Sequence, residues 1–244
     1  MQEPQPQVPQ HLTIPSFDGT QLEARLYPSA SRSGNGRGSA PLMVAIIAHP
    51  YGFLGGSMND HVVQTLKDTL SEQGIPTLLY NSRGVGKSTG RASWTGEPER
   101  KDYQALGYSF GALMAGQAVP PTSNPEMKVD LRYILISPPI SSLVGFLLTP
   151  FRTSQYTRAL QRIVFEDAAV QEGLEKKKKV LFAYGGRDNF TDGETYRNWT
   201  KRLVNGRQEM EGDVLSVAEV EGADHFWRNP RHREELSEAV CNWL

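Results

Sequence analysis

The sequence has 244 residues, enough for one domain with a full hydrophobic core or at most two small ones. Its 26 basic and 27 acidic residues leave a formal charge of -1, so neither counterion release from nucleic acid nor a polybasic attraction to anionic lipid is available to it. Cys241 is the only cysteine, which excludes an intrachain disulfide and a four-thiolate site, and the five histidines form no His-Glu-x-x-His pair; no metal and no other cofactor is expected.

Residues 1–10, MQEPQPQVPQ, bury too little apolar area to offset chain entropy and are expected to be a disordered tail, with residues 11–244 forming one domain. The tail has no apolar stretch of signal-peptide length, and the longest apolar run, Leu42–Ala48, is far below the roughly 18 residues of a membrane span. A cytoplasmic chain without a membrane partner is expected. His11–Pro15 and Gln21–Tyr27 read as strands around the turn-like Phe17-Asp18-Gly19. Leu42–Ala48 is near-continuously apolar, as in a parallel sheet covered on both faces. Val62, Leu66 and Leu70 recur every four residues and predict a helix over Met58–Gln73, ended by Gly74 and followed by a strand over Ile75–Asn81. Further strands are predicted at Leu131–Ile136, Lys179–Tyr184 and Val214–Val220, and helices near 192–204 and over Arg231–Leu244. Strands alternating with helices predict a three-layer α/β domain with a mostly parallel sheet.

Two segments invite chemical readings. Asn81–Thr89, NSRGVGKST, suggests a phosphate loop, but Asn81 stands where that motif needs glycine, and Gly90 and Gly96 interrupt the helix that should follow. A tight loop with Arg83 paired locally is the better reading. Gly107-Tyr108-Ser109-Phe110-Gly111 has the small flanking residues that let a serine stand on a sharp strand-to-helix turn. Asp188, in GGRDNF, and His225, in GADHFW, each follow a predicted strand. A serine becomes nucleophilic when an imidazole can take its proton and a carboxylate fixes the tautomer, so the order Ser, Asp, His carries weight. Asp192 and Asp224 are alternative acids.

With His49-Pro50-Tyr51-Gly52 and Asn81–Ser88, these motifs resemble the α/β-hydrolase superfamily over about residues 11–244, in particular its small lidless members close to dienelactone-hydrolase-like and serine-peptidase-like hydrolases. The resemblance implies Ser109 as nucleophile, His225 as general base, Asp188 as its orienting acid, and an oxyanion hole from the backbone amides of Tyr51 and Phe110. Pro50 has no amide, so within His49–Gly52 the donor is Tyr51 or Gly52. The implied reaction is hydrolysis of a small-molecule ester, thioester or small amide through an acyl-serine. Leu143, Phe146, Leu147, Phe151 and Phe226 are candidates for its hydrophobic pocket.

The chain departs from that pattern at one place. Glu97–Leu106, EPERKDYQAL, runs directly into GYSFG, about 20 residues short of a helix, loop and central strand. The strand that should carry the nucleophile is therefore expected to be missing or replaced, which would open a gap of about 10 Å in the sheet or force its neighbours to re-pair. Two readings follow: an active serine hydrolase, or a hydrolase-like shell serving as a small-molecule-binding or structural protein.

Overall fold

The computed structural model describes residues 8–28, 43–93, 97–102, 106–108, 131–140, 158, 160–161, 164, 178–207 and 214–244. In chain order these form β1 (Gln10–Pro15), β2 (Gln21–Tyr27), β3 (Ala45–Ala48), α1 (His61–Glu72), β4 (Thr77–Tyr80), α2 (Glu97–Asp102), β5 (Leu106–Tyr108), β6 (Leu131–Ile136), β7 (Lys178–Gly185), α3 (Gly193–Arg207), β8 (Leu215–Val220) and α4 (Pro230–Trp243), with a short 3-10 turn at Gly52–Leu54. Gln10 opens β1 and so belongs to the domain rather than to the tail; residues 1–7 lie outside the described residues.

The strands form one sheet in the order β1-β2-β4-β3-β5-β6-β7-β8. The pairs β1–β2 and β2–β4 are antiparallel and the remaining five are parallel. Alternating side chains of the buried strands feed opposite faces. Val180, Phe182 and Tyr184 of β7 join Tyr196, Trp199 and Leu203 of α3 in one core. Leu181 and Ala183 join Val62, Leu66 and Leu70 of α1 and Leu236 and Val240 of α4 in the other. Helices therefore cover both faces, which makes the three layers and explains the unbroken apolar runs of the parallel strands.

Local chemistry sets the boundaries. Asp60 caps α1 by accepting the Val62 N–H at 2.9 Å, so the helix starts at His61 rather than at Met58, whose own N–H donates to Asn81 Oδ1 at 2.9 Å. Asn229 caps α4 by accepting the Arg231 N–H at 3.0 Å, with Pro230 at the first helical position. Ladder pairing of β3 with β4 begins at Ala45 and Thr77 because Pro76 has no N–H to give, although its carbonyl still accepts the Ala45 N–H at 2.9 Å.

The central slot of the sheet is filled, which corrects the expectation of an absent strand. Leu106 and Gly107 pair with Ile47 and Ala48 on one side, and Gly107 and Tyr108 with Leu135 and Ile136 on the other. Yet β5 is three residues long, and α2, which precedes it, has six. Three residues, 103–105, separate the end of α2 from β5. A three-residue strand lies below the usual five or six and gives its neighbours little ladder to hold.

Candidate active site

The carboxyl ends of β7 and β8 bring two of the candidate residues, Asp188 and His225, together. Asp188 follows β7 and His225 follows β8, and the two side chains are 3% and 2% exposed for the whole residues. His225 Nδ1 lies 2.9 Å from Asp188 Oδ2 and 3.1 Å from Oδ1. Their loops can approach because Gly185 lacks a side chain: a Cβ there would lie 2.2 Å from the Ala223 carbonyl oxygen. The gap is closed by backbone bonds from Gly186 N to Val220 O, 2.9 Å, and from Arg187 N to Ala223 O, 3.0 Å.

Asp188 is fixed as well as buried. Its Oδ1 accepts the N–H groups of Phe190 at 2.8 Å and Thr191 at 3.0 Å. A carboxylate held this way can only accept from the imidazole, so Nδ1 of His225 donates to it and, in the neutral ring, Nε2 is the nitrogen without a proton. The Phe190 ring stacks on the imidazole at 4.1 Å, and Phe226 meets it edge-on at 5.5 Å. Sequence reasoning missed Phe190, although it stands two residues after Asp188 in GGRDNF.

The other acids are engaged elsewhere. Asp192 caps α3, accepting from Thr195 N at 2.8 Å and Thr195 Oγ1 at 2.7 Å, and these bonds, the hydroxyl first, hold its carboxyl below the ordinary value. Asp224 pairs with Arg228 at 2.8 Å.

Ser109 comes directly after β5 in sequence, and Gly107 lies opposite Ala48, the residue before His49. Ser109 itself, Phe110, Leu143, Phe146, Leu147 and Phe151 lie outside the described residues. Tyr51 is buried, and its carbonyl accepts from Leu54 N at 3.0 Å and Gly56 N at 3.2 Å, which folds the chain back at the end of β3. Beside it, an open cleft of about 460 Å3 runs between Gly52 and Phe53 on one side and Val85 and Ala92 on the other. That volume is within the range of small-molecule sites.

His49 anchors this loop. Its Nδ1 faces the Pro50 carbonyl at 2.5 Å, which can only accept, so the proton sits on Nδ1 and Nε2 accepts the Ser82 N–H at 2.9 Å. Burial pushes the imidazole down to about 4, against a smaller opposing effect of the Pro50 bond. Between about pH 6.5 and 4 the unfolded chain therefore takes up a proton that the folded chain refuses, and stability falls as the pH falls. The full effect is on the order of 3 kcal/mol. It is complete above pH 6.5. Urea unfolding at several pH values should show His49→Gln losing much of the slope in this window; an unchanged slope would mean that His49 is not held neutral.

The Asn81–Thr89 loop holds a polar hub and no phosphate cradle. Arg83 donates to Asp102 through Nε at 2.8 Å and Nη2 at 2.7 Å, and to Asp18 through Nη1 at 2.8 Å. Ser16 Oγ also donates to Asp102. The Arg83 and Asp102 side chains are 7% and 0% exposed. These bonds hold the guanidinium firmly protonated and draw the Asp18 carboxyl well below the carboxylate range. The hub ties the β1–β2 turn and the β4 loop to the last residue of α2, four residues before β5.

Among the described residues, no group of three His, Cys, Asp or Glu side chains could hold a metal ion, and no helix is long and apolar enough to cross a membrane.

The sheet order and the helices on both faces resemble those of the α/β-hydrolase fold. Comparison with solved structures agrees. A lidless α/β serine hydrolase from Xanthomonas campestris superimposes with a TM-score of 0.63 at 20% identity, over 98% of this chain and 96% of that one. An α/β serine hydrolase homologue from Coxiella burnetii gives 0.60 at 24% identity, over 96% and 97%. In sequence, an uncharacterized protein of Rickettsia prowazekii (strain Madrid E) is 24% identical over 220 residues, 82% of this chain and 78% of its own. No protein-family model matches the chain.

Proposed function

We propose that the chain is a serine-nucleophile hydrolase of a carboxylic ester, thioester or small amide. The observation that carries this reading is the buried Asp188–His225 pair, at the ends of two strands in the same sheet in which β5 leads directly into Ser109.

In this reading Ser109 Oγ attacks the acyl carbon as its proton passes to His225 Nε2, the ring nitrogen that does not face Asp188. The carbonyl oxygen becomes an oxyanion, for which the Tyr51 and Phe110 amides are the assigned donors. Collapse breaks the bond to the alcohol, thiol or amine, which leaves with the proton from His225. Water then attacks the acyl-serine, giving its proton to His225, and the carboxylic acid departs as Ser109 recovers its own. The cleft beside Gly52 and Phe53 has the volume for a small acyl or alcohol group, and Phe226 packs edge-on against the His225 imidazole.

One observation favours the alternative of a small-molecule-binding or structural protein: β5, the strand before Ser109, is only three residues long. Turnover of 4-nitrophenyl acetate by the purified chain and by Ser109→Ala separates the two. The hydrolase reading expects saturable turnover that falls at least about 1000-fold in Ser109→Ala. Equal rates in the two proteins would remove it.

A further inference from the structure

Among the described residues, two with side chains stand in the left-handed region of backbone space, Ser137 at φ 44° and Trp227 at φ 51°. Both are 0% exposed. Left-handed φ strains any residue with a Cβ, and such outliers persist where surrounding structure imposes them. These two touch each other: Trp227 Nε1 donates to Ser137 Oγ at 3.2 Å, across 90 residues of sequence.

Each is joined to one of the segments that carry the Asp–His pair. Ser137 directly follows β6, and its N–H donates to Ala183 O of β7 at 2.8 Å, so its place is set by the sheet. Trp227 closes the turn that holds His225, donating its N–H to Asp224 O at 3.1 Å. Its carbonyl accepts from Arg233 Nη1 of α4 at 2.7 Å. The turn carrying the imidazole is thus fastened to the sheet through the indole and to α4 through the backbone. Burial alone would give a tryptophan N–H some partner, but it would not demand strained backbone at both ends of the bond.

We propose that Ser137 and Trp227 are positioning residues for His225, a pin from the end of β6 that fixes the His225 turn and with it the imidazole against Asp188. Its catalytic meaning rests on the hydrolase reading; its structural meaning does not, because the Asp188–His225 hydrogen bond exists without any substrate.

The test therefore reads that bond first. In the full chain labelled with nitrogen-15, the His225 Nδ1 proton is followed by NMR in wild type, Ser137→Ala, Ser137→Gly and Trp227→Phe. Ser137→Ala removes the acceptor and keeps the strain, whereas Ser137→Gly removes both. The pin predicts that exchange of this proton with water is at least about tenfold faster in all three variants, with Ser137→Gly melting above Ser137→Ala. Where the wild type turns over 4-nitrophenyl acetate, kcat should fall about tenfold with KM within twofold, and the Ser137→Ala/Trp227→Phe double variant should be no worse than either single one. Exchange rates within twofold of wild type in folded variants, with only the melting temperature lowered, would make the pair a packing contact and overturn the proposal. Absence of ester turnover in wild type would remove the hydrolase reading and leave the exchange measurement to decide the pin.

Discussion

Asp188→Asn is expected to lower kcat on a small activated ester by about four orders of magnitude while leaving the fold intact. The bonds around Asp188 give the reason. Oδ1 accepts two backbone N–H groups, Phe190 and Thr191, and an asparagine oxygen would stay there because its amide nitrogen cannot accept. The NH2 would then face His225 Nδ1, where Asp188 Oδ2 now lies at 2.9 Å. A donor there forces Nδ1 to accept, moves the ring proton to Nε2 and removes the lone pair that would take the serine proton. The loss corresponds to about 5.5 kcal/mol of transition-state stabilisation. Asp188→Ala should also cost stability, since it takes the acceptor from the buried Thr191 N–H, at about 1–3 kcal/mol, and from the part-buried Phe190 N–H. Steady-state kinetics with thermal unfolding checks both; Asp188→Asn within tenfold of wild type would show that Asp188 does not set the tautomer.

The second large effect is expected at Arg83. Arg83→Met leaves the Asp102 carboxylate, fully buried at the end of α2, without its bidentate partner, and should lower stability by about 3 kcal/mol. For a chain of this size that is a fall of about 6–12 °C in melting temperature. Because Asp102 lies four residues before β5, turnover should fall even below the melting temperature. Arg83→Met/Asp102→Leu, which removes both charges, should melt closer to wild type than Arg83→Met does. Melting of Arg83→Met within 2 °C of wild type would contradict the assignment of the hub as the anchor of the end of α2.

The strands and helices that fill the two cores are those with the clearest apolar spacing. Leu131–Ile136 matches the sequence expectation residue for residue, and Val62, Leu66 and Leu70 face the core as their spacing of four predicts. The edges moved where a single polar group decided: Pro76 trimmed β3 and β4, and Asp60 moved the start of α1. What stayed hidden was non-local. Arg83 reads as part of a loop motif, and nothing in that motif names Asp18 or Asp102, 65 and 19 residues away. β5 was unreadable because three residues carry no periodicity, and its neighbours Ile47 and Leu135 supply the pairing that makes it a strand. Asp188 and His225 stood out through the glycines beside them; the Ser137–Trp227 bond spans two loops that no pattern connects.

The central claim is that Ser109 is an activated nucleophile. The most direct measurement is reaction of the folded chain with a serine-directed fluorophosphonate, read by intact mass and by mapping the modified peptide, alongside Ser109→Ala and Asp188→Asn. Wild type should gain one adduct, located on Ser109; Ser109→Ala should gain none, and Asp188→Asn should react far more slowly. No adduct in a wild-type sample shown to be folded, or equal labelling of wild type and Ser109→Ala, would contradict the account.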